Sequence, residues 1–123
     1  MTRAHVALAG TFGYELDITK ISEEERAMIP EQVSMYHKYN DLVREGDYYR
    51  VASYRENGLY DCWMVVAKDK SEALVTYVQD YRLDGTEKVY GGDLLMNAGM
   101  LIETMRGDYM SRLYHFVLDN SLT

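Results

Sequence analysis

Residues 46–79 read GDYYRVASYRENGLYDCWMVVAKDKSEALVTYVQ, and this stretch decides the fold. Aromatic and β-branched residues crowd into three short runs, 48–53, 60–67 and 73–79, the composition that favours a pleated, half-buried backbone. Between them stand Glu56-Asn57-Gly58 and Lys68-Asp69-Lys70, residues suited to turns. A fourth run of the same texture covers 110–118, and Asp84-Gly85 marks a further turn. Consecutive strands joined by connections this short pair antiparallel, so the chain is mainly β after residue 47.

Before residue 47 the texture differs. Ser22 followed by Glu23, Glu24 and Glu25 fits a capping box, and the acids favour the positive end of a helix. From there Ile29, Val33, Tyr36, Asn40 and Val43 recur at helical spacing, leaving one stripe interrupted by Asn40. Pro30 lacks an amide and predicts a kink or a restart, with the main helix over 30–45. Gly46 is expected to end it as a C′ glycine. Further upstream, His5-Val6-Ala7-Leu8-Ala9-Gly10 is apolar without alternation and predicts a strand buried on both faces. Such a strand needs parallel neighbours and covering helices that one helix cannot supply, so a further upstream portion is expected.

Composition bounds the function. The 123 residues match one domain or part of one, and 47% hydrophobic with 27% charged residues is ordinary globular composition. Twenty acidic against thirteen basic residues give net −7, so no positive field collects phosphates and nucleic acid is not an expected partner. The longest apolar runs, such as 63–67, are far too short to span a bilayer, which makes a membrane partner unexpected. The N-terminus shows no signal-peptide core and the only cysteine, Cys62, has no partner for an internal disulfide; both predict a cytoplasmic protein. Cys62 reads as a buried structural thiol, because no basic group lies near it in sequence to lower its pKa. Twelve tyrosines against two phenylalanines suit half-buried strands, or stacking on sugar rings.

Patterns alone identify no active site. His5, His37 and His115 have no second ligand at metal spacing, so neither a metal nor another cofactor is expected. Tyr90-Gly91-Gly92-Asp93 fits neither a dinucleotide fingerprint nor a P-loop and reads as a turn. Ser71 lacks the surroundings of a serine nucleophile. Glu15 and Asp17 alternate on one face of an extended segment, a spacing open to a carboxylate pair, though exposed loop acids explain them more simply.

As strings, several segments are specific: TRAHVALAGTFGYELDITKISEEE at 2–25, VYGGDLLMNAGM at 89–100 and GDYMSRLYHFVL at 107–118. Together with 46–79 they resemble, in order, the C-terminal part of the family 36 glycoside hydrolases, the bacterial α-galactosidases. FGYELD at 12–17 and YGGDLLMNAG at 90–99 carry the resemblance best. It implies an α+β chain holding the last strand (2–10) and helix (22–45) of a (β/α)8 catalytic barrel, then an antiparallel β-sandwich. The domain division implied is 1–46 and 47–123. It also implies retaining hydrolysis of terminal α-linked galactose by two aspartates, one the nucleophile and one the acid and base.

Neither aspartate's motif stands in this chain, so no catalytic residue is carried over and the chain reads as structural. Its implied partners are the remainder of an α-galactosidase and, in the full enzyme, a galactoside. Only 11–14 comes near a site: if Gly10 ends a barrel strand, Phe12 and Tyr14 reach the rim of the sugar pocket. Packing against the helix is the plainer reading of both rings. A carbohydrate-binding β-module is the alternative, with Tyr48, Tyr60, Trp63 and Tyr114 as a stacking platform. After Gln79 the family continues through a loop and a further strand that this chain lacks, leaving an edge for the hairpin DYRLDGTEKVY (80–90) to fill. Val6, Leu8, Ile29 and Val43, without barrel partners, predict either a homo-oligomer or a helix folded back onto the β-domain.

Overall fold

The computed structural model describes residues 1–79, 88–90, 101–103, 110–119 and 121. The turn expected at Asp84-Gly85, residues 80–87 of the hairpin and residues 91–99 of the glycine-rich segment lie outside the described residues. The class is α+β: helices α1 (Thr2–Ala7), α2 (Glu23–Glu45) and α3 (Tyr54–Asn57) accompany strands β1 (Asp47–Ala52), β2 (Tyr60–Val66), β3 (Glu72–Gln79), β4 (Lys88–Tyr90), β5 (Leu101–Glu103) and β6 (Met110–Val117). Four strands form one antiparallel sheet in the order β1-β2-β3-β6, and β4 pairs with β5 separately.

The strand expected at 2–10 is a helix. A short apolar run cannot by itself distinguish a buried strand from a buried helix segment. Alanine is the best helix former, and the sequence places Ala4 and Leu8 four apart. These two are 6% and 3% exposed, whereas Val6 is 45% exposed, the pattern of one helical stripe facing a core.

Helix α2 begins as expected. Ser22 Oγ accepts from the Glu25 amide at 3.1 Å, and Glu25 Oε2 accepts from the Ser22 amide at 3.2 Å. It does not restart at Pro30 but runs through it as 23 residues. Pro30 is exposed, so the missing amide falls on the solvent side of the helix and not in the core. The deepest burial lies one position round from the expected stripe, at Tyr39 and Leu42, while Tyr36 and Val43 of that stripe pack against the same cluster, partly buried, beside Met35. Gly46 ends the helix, but with φ −74° and ψ 171° it is extended rather than left-handed. A Cβ there would stand 2.6 Å from the Leu42 carbonyl oxygen and from Val65 Cγ1, so the glycine lets the turn close against β2.

The first turn is built around one side chain. Asn57 Oδ1 accepts from the amides of Leu59 and Tyr60, its Nδ2 donates to the Ser53 and Tyr60 carbonyls, and Gly58 supplies φ 73°. At the second, Asp69 accepts from the Ser71 amide and Lys70 takes φ 61°. These turns set a register in which Cys62 opposes Tyr77 and Val65 opposes Leu74. Strand β3, between β2 and β6, is buried on both faces from Ala73 to Gln79.

The core has two sides. On one, α1 and α2 cover the sheet: Leu8, Tyr39 and Leu42 meet Val65 and Leu74. On the other, Cys62 and Val75 pack with Tyr60, Met64, Tyr114 and Phe116. The edge of β3 expected for the hairpin is occupied by β6, paired from Glu72–Val117 to Gln79–Met110. Lys88–Tyr90, the end of that hairpin string, pairs with Leu101–Glu103 instead.

Candidate functional site

Phe12 and Tyr14 lie against the middle of α2, at Tyr36 and Gln32. The Phe12 ring stacks on Tyr36 at 5.4 Å and 19°, and meets Tyr14 edge-on at 5.5 Å and 88°. The Tyr14 hydroxyl donates to Gln32 Oε1 at 2.6 Å. Both rings line a concavity of about 370 Å³ together with Arg3, Leu16, Met28 and Ile29. No strand ends at Gly10 to aim these rings at a barrel mouth, because Thr2–Ala7 is helical. In this structure the two rings are engaged with the helix.

The acids at 15 and 17 do not act as a pair. Asp17 accepts from the Thr19 hydroxyl at 2.6 Å and amide at 3.0 Å, and lies 3.4 Å from Lys20 Nζ. These Thr19 hydrogen bonds, with Lys20 adding to them, hold the Asp17 carboxyl below the usual carboxylate range. This is a turn acid.

The four rings of the alternative platform do not share a surface. The register puts Tyr48 and Trp63 on the helix-covered side of the sheet, and Tyr60 and Tyr114 on the opposite side. Of the four only Tyr48 is exposed, at 53%. Tyr60 instead packs on the buried Tyr77, their centroids 5.4 Å apart.

Cys62 is fully buried, and desolvation, with Asp61 nearby, pushes its thiol up to about 12, so it offers no thiolate. The histidines stand apart. His37 is exposed on α2, its ring 5.5 Å from that of Tyr36. His5 Nδ1 lies 2.7 Å from Ser111 Oγ, which donates to Thr2 Oγ1 at 3.0 Å. His115 Nε2 lies 2.9 Å from Glu72 Oε2, with Tyr39 edge-on to its ring. Sequence reasoning missed both clusters, because each joins elements far apart in the chain and no local spacing marks them. Both tie helix to sheet, and among the described residues neither adds a nucleophile backed by a base and an oxyanion donor.

This helix-braced sheet matches known proteins closely. The family model described as Melibiase matches residues 1–46, and that of the glycosyl hydrolase family 36 C-terminal domain matches residues 78–116. The chain belongs to glycoside hydrolase family 36 and corresponds to the C-terminal part of its members. Alpha-galactosidase AgaA of Geobacillus stearothermophilus is 40% identical over 92% of this chain, and Alpha-galactosidase Mel36A of Lactobacillus acidophilus 37% identical over 94%. The chain spans 18% of the length of each. The crystal structure of AgaA superposes with a TM-score of 0.81 at 36% identity, over 92% of this chain and 18% of that one. The galactosidase domain of AgaSK, an α-galactosidase-sucrose kinase, does so with a TM-score of 0.81 at 31% identity, over 94% and 19%.

Helices and sheet together superpose on those much longer chains, so the fold of this chain is shared with them. The alignment with Mel36A runs over 136 positions, more than the 123 residues here, so the relatives carry residues that this chain lacks.

Proposed function

We propose that this chain is the structural C-terminal part of an α-galactosidase, non-catalytic by itself, which braces the catalytic portion during hydrolysis of terminal α-linked galactose. One observation carries the reading: a single fold holds this chain and the matching 18% of AgaA with a TM-score of 0.81 at 36% identity. The Melibiase match ending at residue 46 supports assigning 1–46 to the end of the catalytic barrel and 47–123 to a C-terminal β-sandwich. A rim role toward the galactoside for Phe12 and Tyr14 belongs to the same proposal; with no strand ending at Gly10, it rests only on the concavity that the two rings line. The lone buried thiol supports a cytoplasmic setting.

The test is turnover of a chromogenic α-galactoside by the chain alone, and by the chain mixed with the portion of AgaA outside the matched region. Activity in the mixture and none with the chain alone is the expected result. Turnover by the chain alone overturns the structural reading, and a mixture as inactive as its parts leaves the bracing role without support.

A further inference from the structure

Of the four asparagines in the chain, Asn40, Asn57, Asn97 and Asn120, only Asn57 stands before a glycine. That pair is chemically labile. The glycine amide nitrogen can attack the asparagine side-chain carbonyl, because no Cβ stands in its way and the glycine backbone reaches the conformations that ring closure needs. The new N–Cγ bond closes a succinimide, the Cγ–Nδ2 bond breaks, and the side-chain nitrogen leaves as ammonia with the proton lost from the glycine amide. Water then opens the ring at either carbonyl, leaving aspartate or isoaspartate.

The fold occupies both reacting groups. The Gly58 amide donates to the Tyr54 carbonyl at 2.7 Å. Asn57 Nδ2 donates to the Ser53 and Tyr60 carbonyls, each at 2.9 Å, and Oδ1 accepts from the Leu59 amide at 2.7 Å and the Tyr60 amide at 2.9 Å. For the ring to close, the side chain has to swing onto the Gly58 nitrogen and give up these bonds first. Yet the turn lies at the surface. Residues 54–59 are exposed and α3 is only four residues long, so it can open while the buried strands behind it stay paired.

We propose that Asn57 is a modification site, deamidated through Gly58 when the turn opens and thereafter unable to close it. The closed turn protects the pair, and the product accounts for the loss. A carboxylate accepts hydrogen bonds and donates none, so an oxygen in the place of Nδ2 would face the carbonyl oxygens of Ser53 and Tyr60. Isoaspartate also adds a methylene to the main chain, which spoils the spacing from Asn57 to the Leu59 and Tyr60 amides. Each opening therefore exposes the link between β1 and β2 to a step that refolding does not reverse.

The test holds the chain folded and, in parallel, unfolded in guanidinium chloride, and follows the peptide spanning Asn57 by mass spectrometry for a gain of one mass unit. In the unfolded chain Asn57 is expected to react ahead of Asn40, Asn97 and Asn120, and in the folded chain about tenfold more slowly or less. A folded rate equal to or above the unfolded one overturns protection by the turn. An Asn57 that reacts in neither state overturns the site itself. Asn57→Asp, the direct product, is expected to speed hydrogen exchange of the Leu59 and Tyr60 amides about tenfold, as the turn loses two donors and gains a charge. Exchange as slow as in the natural chain overturns the claim that the product cannot close the turn. The rate comparison uses the natural chain alone, so it decides whether or not Asn57→Asp folds.

Discussion

Gly46 shows how one residue decides between two readings of the same letter. As a left-handed helix cap it would be needed for its conformation, yet its φ of −74° is open to any residue. Replacing such a glycine by alanine ordinarily stabilises a protein by about 0.4–1 kcal/mol, by narrowing the unfolded ensemble. Here the sign reverses. The added Cβ would meet two carbonyl oxygens, those of Leu42 at 2.6 Å and Val66 at 2.7 Å, and backbone does not swing aside as a flexible side chain does. Gly46→Ala is expected to destabilise by about 1–3 kcal/mol, the cost of overpacking a filled site, measured as a lower urea midpoint. An unchanged or raised midpoint would show that helix and strand can part at no cost. The need for a glycine was visible in the sequence; the cause was not, because Val65 and Val66 arrive from another strand.

Among the elements, α2 was the most legible and still shifted. Its start depends on local chemistry, Ser22 and Glu25 three residues apart, and so was readable directly. Ser22→Ala removes an acceptor from one orphan amide and is expected to cost about 1 kcal/mol, within the usual 0.5–2 range for a lost cap. Thermal unfolding followed by circular dichroism checks it, and Ser22→Asp, which keeps an acceptor, should recover most of the loss. The inward face of the helix was less legible. Apolar letters mark Val33 and Tyr36 as well as Tyr39 and Leu42, and the latter pair is buried deepest because the sheet it covers offers Val65 and Leu74. Helix α1 went unread for a related reason: Ala4 and Leu8 have a partner surface only once β3 and β6 are in place.

For the whole molecule, the clasp between the chain's beginning and its last strand makes stability depend on pH. His5 is half-buried against Ser111, and desolvation, then the nearby N-terminal charge, lowers its pKa below the ordinary 6.5 despite the opposing charge of Glu31. Below 6.5 the unfolded chain therefore takes up a proton that the folded chain resists. The contribution of the neutral His5 is complete above 6.5 and is lost as pH falls through the folded-state value. Urea midpoints at pH 7.5 and pH 5.0 should drop further for the natural chain than for His5→Gln. An equal drop in the two would mean that His5 titrates as it does in the unfolded chain.

At this scale the division between sequence and structure is plain. Local order fixes itself: the four main strands, both early turns, the capping box and the family strings FGYELD and YGGD were all readable, because each depends on neighbours within a few residues. The partners of each surface were not. Whether 2–10 is strand or helix, whether β6 or a hairpin closes the edge of β3, and whether the aromatic rings form one platform all depend on contacts between distant residues. Hydrophobicity says that a residue will be covered and carries no address for what covers it, so only the tertiary structure decided these.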